Sequence, residues 1–381
     1  MKKTKKRILF ITGTRADYGK LKPLMKVVEE SISHELYIFV AGMHLLNIFG
    51  STYDEIIKDG YKNIHVAYGL TYSSKTSVNL GNTISHLTGY VDNIKPDLIV
   101  VHGDRIDALA GAIVGALNNI SVAHVEGGEV SGTIDESIRH AITKFAHLHL
   151  VSNEEAKKRV VQLGEDESNV FVIGSPDIDI MLDSNLPSID EVKKHYDISF
   201  NNYGVMIYHP VTTEYGKIGE KIKKLIEAVL KSNKKYVVIY PNNDLGYEII
   251  LNEYSRLKNH GNFIIHPSMR FEYFLTLLKN AEFLIGNSSA GIRESGIYGI
   301  PTINIGTRQN GRFRLNVLKN IQHVEEDVEK ICKAISQIDQ YKTSQMHFGS
   351  GDSKNKFIEI ILNEDILNKK LQKKFVDIQL Y

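Results

Sequence analysis

Short runs of Val, Ile, Leu and Phe alternate with amphipathic stretches along nearly the whole chain. That alternation predicts parallel sheets assembled from strand-helix-strand units, an α/β fold. Strands are predicted at Ile8 to Thr12, Leu36 to Ala41, Ile64 to Ala67, Leu98 to His102, Val122 to Val125, His147 to Val151 and Val170 to Ile173. From Gly174, Ser175, Pro176 to the Tyr203, Gly204 pair the chain is short-patterned and polar, and we read it as a crossover. The pattern then restarts, with strands at Val205 to Tyr208, Tyr236 to Tyr240, Phe263 to His266, Phe283 to Ile285 and Thr302 to Ile305. Two doubly wound domains are therefore expected, at 1–176 and 177–365. A terminal helix over 366–381 is expected to pack back on the first, after an exposed loop at about Thr343 to Asp352. Such sheets hold ligands at the carboxyl ends of their strands, so the site is expected in a central cleft that the two domains face.

Polar residues at those strand ends carry the candidate chemistry. The run His124, Val125, Glu126, Gly127, Gly128, Glu129 follows one apolar strand, and His102, Gly103, Asp104 ends another. Thr133 with Glu136 three residues on is a capping box, which starts a helix at about Ile134. On that helix Asp135 and Arg139 lie one turn apart on one face. Asp104, Glu126 and Asp135 thus converge on one sheet edge, with Arg139, His124 and His140 beside them. Paired carboxylates of this kind suit proton removal and proton donation on one substrate.

Three turns suit an anion. Gly13, Thr14, Arg15, Ala16, Asp17, Tyr18, Gly19, Lys20 follows the first strand; it has neither P-loop nor dinucleotide spacing, but it offers a helix start with Arg15 and Lys20. In the second half Gly286, Asn287, Ser288, Ser289, Ala290, Gly291, Ile292, Arg293, Glu294 repeats the chemistry, with Glu294 placed for a ribose diol and His209 at a neighbouring strand end. Gly306 to Arg312 again joins glycines to cations. Two domains with anion-holding turns point to a nucleoside diphosphate attached to a small polar group.

Composition narrows this reading. With 46 Lys and Arg against 45 Asp and Glu, the net charge of +1 gives no field for nucleic acid or membrane, despite a basic run from Lys2 to Arg7. No apolar run reaches membrane-spanning length, and the run after Arg7 is too short for a signal peptide. The single cysteine, Cys332, excludes an internal disulfide and a thiolate metal cluster, which fits a cytoplasmic protein. No metal and no cofactor are expected. We expect a homodimer or homotetramer.

The runs GTRADYGK (13–20), HGDRID (102–107), HVEGGE (124–129), GTIDESIRH (132–140), HPVTTE (209–214), GNSSAGIRE (286–294) and GTR (306–308) resemble the hydrolysing UDP-N-acetylglucosamine 2-epimerases, most closely their bacterial sialic-acid branch. The resemblance covers about residues 7 to 370. It implies a glycosyltransferase-B-like fold of two Rossmann-like domains, no nicotinamide, and release of UDP and N-acetylmannosamine from a UDP-sugar. It implies catalytic roles for Asp104, Glu126, Asp135 and Arg139, and UDP-holding roles for Arg15, His209, Ser288, Ser289 and Glu294; our reading of the turns adds Lys20 and Gly291. Many non-hydrolysing relatives have Glu where Asp135 stands, so this position supports the hydrolysing branch. The implied chemistry is anti elimination of UDP to a glycal, then hydration. The alternatives are the same chemistry on a UDP-2,4-diacetamido-2,4,6-trideoxyhexose and, more distantly, a glycosyltransferase, which would need an acceptor.

Overall fold

The computed structural model describes residues 5–73, 75–131, 133–311, 318–367 and 371–377. Gly132 of the capping-box run, Arg312 of the third turn, residues 2–4 of the basic run and parts of 366–381 lie outside the described residues. The chain divides into two compact units, one of residues 1–129, 135–182 and 347–381, the other of 130–134 and 183–346. The division falls at 182/183 where the sequence reading set 176/177.

The first unit is built on a seven-stranded sheet of β1 (Lys6–Thr12), β2 (His34–Val40), β3 (Ile64–Val66), β4 (Leu98–His102), β5 (Ser121–Val125), β6 (Leu148–Val151) and β7 (Val170–Val172), in the order β3-β2-β1-β4-β5-β6-β7. All its pairings are parallel. Helices cover both faces, so successive residues of β1 enter different cores: Ile8 and Phe10 join one cluster, Leu9 and Ile11 the other. Burial on both faces is why these strands read as unbroken apolar runs. The strand order reverses between β1 and β4, which places the ligand position of an open parallel sheet beside the carboxyl ends of those strands.

The second unit repeats the design with β8 (Gly204–Ile207), β9 (Tyr236–Ile239), β10 (Phe263–His266), β11 (Phe283–Gly286), β12 (Thr302–Ile305) and β13 (Ile321–Val324), in the order β10-β9-β8-β11-β12-β13, again all parallel. Its reversal lies between β8 and β11. Strand β13 was not predicted, because Gln322 and His323 break its apolar pattern and, as an edge strand, it is only partly buried.

The return to the first unit begins at His347, before the expected 366. The helix Ser353–Leu362 packs Phe357 against Phe10, with ring centroids 6.1 Å apart, and the Ile361 carbonyl lies 3.1 Å from His34 Nε2. The described part of the expected 366–381 helix is helical only to Leu367. Residues 371–377 are not helical; part of their backbone bonds elsewhere in the first unit, the Leu371 carbonyl with His147 Nε2 (3.1 Å) and the Val376 N–H with the Gly164 carbonyl (3.0 Å).

Candidate functional site

Strand β5 delivers Glu126 at its carboxyl end. The residue holds φ of 62°, a left-handed conformation that costs energy for a side chain with a Cβ and that clusters at functional sites. Its N–H still bonds the Leu150 carbonyl (2.9 Å), so the chain leaves the sheet in a single sharp step. The carboxylate is buried: Ser175 Oγ donates to Oε1 at 2.5 Å, and His102 Nε2 at the end of β4 lies 3.0 Å from Oε2. Two residues on, Gly128 has φ of 76°, and a Cβ there would stand 2.2 Å from the Ala156 carbonyl oxygen, so only glycine fits this close approach.

The helix Ile134–Phe145 brings in Asp135 on its first turn and Arg139 one turn later, both buried. The guanidinium reaches across the sheet edge. Its Nη2 pairs with the Asp104 carboxylate, while Nη1 lies 3.3 Å from Glu129 Oε2 and 3.2 Å from the Glu126 carbonyl. Burial by itself would lower the Arg139 pKa, but Asp104, Glu129 and Glu126 outweigh it and raise the value. Glu129 also accepts from Ser152 Oγ at 2.9 Å. The structure therefore brings Asp104, Glu126 and Arg139 together as expected and adds Glu129, His102 and Ser175. Glu129 was visible within the Gly-Gly-Glu run but had no assigned role. His102 and Ser175 had no signal beyond standing at a strand end and before a helix.

His124, the next-to-last residue of β5, is fully buried. Its Nε2 lies 2.8 Å from the Gly103 carbonyl and its Nδ1 3.1 Å from Thr143 Oγ1, tying the loop that carries Asp104 to the helix that carries Arg139. Desolvation pushes its pKa down to about 3, so it acts as a neutral brace.

The turn after β1 is largely satisfied within its own unit. Thr14 and Asp17 form a capping box, and the Asp17 carboxylate accepts the N–H groups of Gly13 (3.1 Å) and Thr14 (3.0 Å). Arg15 pairs with Glu55, and buried Lys20 pairs with Asp177 at 2.9 Å. Both predicted anion-holding cations thus have carboxylate partners. Asp107, from the second residue of the helix Ile106–Leu117, presses on the Cα of Gly13, where an added Cβ would lie 2.1 Å from Oδ2. Desolvation raises its pKa to about 6, against an opposing effect of Arg105.

In the second unit the side chain of Asn287 extends the β8–β11 pairing past the last strand residues. Its Oδ1 accepts from the His209 N–H (2.6 Å) and its Nδ2 donates to the His209 carbonyl (2.9 Å). The Asn242 N–H donates to His209 Nδ1 at 3.0 Å, which leaves the ring proton on Nε2, suited to donate to an anion. Gly286 has φ of 134°, and a Cβ there would collide with the Ile207 carbonyl at 1.9 Å, which explains a glycine at the end of β11. Ser288 caps the turn Ser289–Gly291 by accepting from the Ala290 N–H (3.3 Å), Gly291 packs against Thr302, and Glu294 opens the helix Glu294–Tyr298 as a buried carboxylate. From the loop after β12, Arg308 Nη1 (3.3 Å) and Gln309 Nε2 (2.7 Å) donate to the Asn287 carbonyl. His209, Ser288, Ser289, Gly291 and Glu294 thereby gather at the reversal point of the second sheet.

Among the described residues no group of three His, Cys, Asp or Glu side chains is placed to hold a metal, and no helix is long and apolar enough to cross a membrane.

The chain matches the UDP-N-acetylglucosamine 2-epimerase family over residues 26–362. It is 44% identical to a UDP-N-acetylglucosamine 2-epimerase of Neisseria meningitidis serogroup B, over 98% of this chain and all of that protein. It is 31% identical to a UDP-N,N'-diacetylbacillosamine 2-epimerase (hydrolyzing) of Legionella pneumophila, over 96% of this chain and 98% of that one. The solved structure of Methanocaldococcus jannaschii UDP-GlcNAc 2-epimerase in complex with UDP-GlcNAc and UDP has the same fold, with a TM-score of 0.81 over 93% of this chain and 99% of that one at 22% identity. With a family match across most of its length and a 44% identical relative covered end to end, this chain belongs to the UDP-N-acetylglucosamine 2-epimerase family.

Proposed function

We propose that the protein is a hydrolysing UDP-N-acetylglucosamine 2-epimerase that converts UDP-GlcNAc and water to N-acetylmannosamine and UDP, a step toward sialic acids. The observation that carries this reading is the gathering of the Asp104 and Glu129 carboxylates and the Glu126 carbonyl around one buried guanidinium, Arg139, with Asp135 on the same helix. One carboxylate removes the C2 proton. The C2–H electron pair becomes the C1=C2 bond, and the C1–O bond breaks to expel UDP with its electrons. Water then adds, its oxygen to C1 and a proton to C2 on the face opposite the one that lost it. Arg139 holds the Asp104 and Glu129 carboxylates in register, and Ser175 and His102 hold that of Glu126, as such proton transfers require. His209 Nε2 and the Ser288 to Glu294 turn take the diphosphate and ribose of UDP.

The test is to incubate the protein with UDP-GlcNAc in heavy water without an acceptor. Free UDP and N-acetylmannosamine carrying deuterium at C2 are expected; a product still attached to UDP, or protium kept at C2, would overturn the reading. The 31% identity to the Legionella diacetylbacillosamine enzyme favours one second reading, the same chemistry on a UDP-diacetamido-trideoxyhexose. Comparing kcat/KM for the two UDP-sugars separates them.

A further inference from the structure

The helix that carries Asp135 and Arg139 is held at its far end by residues remote in sequence. A helix leaves its last carbonyls without intrahelical donors, and a cation there is favoured by the helix dipole. Lys373 meets both needs. Its Nζ donates to the carbonyls of Thr143 (3.1 Å), Lys144 (2.8 Å) and Ala146 (2.5 Å), and lies 2.6 Å from Glu165 Oε2. Glu165 in turn holds Lys144 (2.6 Å) and His149 (3.1 Å), so one buried carboxylate anchors the helix end, β6 and the Lys373 segment. Burial would raise the Glu165 pKa, but the hydrogen bonds from His149, Lys144 and Lys373 prevail and hold it at about 2, so the anchor is ionised.

The same segment grips at three more points. The Phe375 ring lies on Gly164, where a Cβ would stand 2.3 Å from Cε2, and 5.3 Å from Lys144 Nζ; the Val376 N–H donates to Gly164 O; and the Leu371 carbonyl lies within bonding distance of His147. Thr143, whose carbonyl Lys373 holds, is the residue whose hydroxyl meets His124, and His124 reaches Gly103 beside Asp104. Thr143 stands one turn beyond Arg139. A helix of this length moves as a rod, so slack at Thr143 is passed to the guanidinium about 6 Å away along the axis.

We propose that Lys373 is a positioning residue for the reaction: it clamps the carboxyl end of the Ile134–Phe145 helix and so sets where Asp135 and Arg139 stand relative to Asp104 and Glu126. This rests on the reading above of those residues as the catalytic cluster. A group placed in this way acts on turnover more than on nucleotide binding, which belongs to other residues.

The test uses the full chain with Lys373→Met, which keeps the stem and removes the charge, and Lys373→Arg, which keeps the charge. Three quantities are measured: UDP release from UDP-GlcNAc, UDP affinity by calorimetry, and amide exchange over 138–147 by mass spectrometry. Since a small misplacement of reacting groups costs rate steeply, Lys373→Met is expected to lower kcat about tenfold, leave KM and UDP affinity within about twofold and speed exchange over the last turn, while Lys373→Arg recovers most of the rate. Wild-type kcat in Lys373→Met, a parallel loss of UDP affinity, or no recovery in Lys373→Arg would each overturn the proposal. Turnover by the wild type tests the parent reading separately. If that turnover is absent, the exchange comparison still decides the clamp, and unchanged exchange in Lys373→Met refutes it.

Discussion

The two sheets reverse direction at equivalent places, β1/β4 in the first unit and β8/β11 in the second, yet they furnish those places with opposite chemistry. The first is crowded with ionised partners: Arg139 with Asp104 and Glu129, Lys20 with Asp177, Arg15 with Glu55, and an Asp17 carboxylate occupying the amides of Gly13 and Thr14. The second sets neutral groups at its strand ends, the Asn287 amide, the Ser288 hydroxyl, an imidazole with its proton on Nε2 and backbone, beside the buried charges of Glu294 and Arg308. One doubly wound topology thus carries two kinds of site. On the reading proposed above, opposed charges in fixed geometry suit the movement of protons, whereas preset dipoles beside a buried carboxylate and guanidinium, Glu294 and Arg308, suit the holding of a nucleotide.

Four changes break or sharpen this contrast. Arg139→Met strikes the charged site hardest, because it leaves Asp104 and Glu129 without their buried counter-charge. We expect a loss of about 3–5 kcal/mol in chemical denaturation together with loss of turnover. A variant as stable as wild type would mean that those carboxylates do not depend on Arg139. Next, Asp104→Asn, Glu126→Gln and Asp135→Asn preserve shape but remove proton transfer, and each should cost roughly two orders of magnitude in kcat while sparing UDP affinity. Near-normal turnover in all three would remove the carboxylates from the chemistry.

Glu294→Gln probes the other site. Loss of a charged acceptor for the ribose diol should weaken UDP binding in calorimetry by about tenfold, with unfolding little changed. Unaltered affinity would take Glu294 out of the nucleotide site.

The pH profile of stability is the mildest test. His124 and His44 are buried with pKa values near 3 and 4, below the ordinary 6.5, so each contributes stability that is present above pH 6.5 and lost as pH falls toward those values. Asp107, raised from 3.8 to about 6, works the other way, its contribution present below 3.8 and lost as pH rises through 6. Between about pH 5 and 6 unfolding therefore takes up two protons and releases one, and stability should climb by about 1.4 kcal/mol per pH unit from these three groups. Replacing Asp107 with Asn removes the opposing proton and should steepen the slope in urea titrations toward twice that value; an unchanged slope would show that Asp107 does not titrate in this range. A flat profile in both proteins would show that His44 and His124 are not held neutral.

Much of this architecture is written locally. Parallel strands buried on both faces must be apolar throughout, so β1, β4, β5, β8, β11 and β12 were legible as runs, and the polar residues just after them, Asp104, Glu126 and His209, were legible as candidates because such sheets bind at those ends. Strand β13 was not, since an edge strand tolerates Gln322 and His323. What the chain order could not decide is who partners whom. Lys20 was read as an anion holder, and only folding sets it against Asp177, 157 positions away; Arg139 was read as sharing a helix face with Asp135, and only the sheet brings up Asp104 and Glu129 to meet it. Periodicity reports which face of an element is buried, whereas the pairing of long charged side chains depends on distances between elements, and those exist only once the sheet has closed the chain on itself.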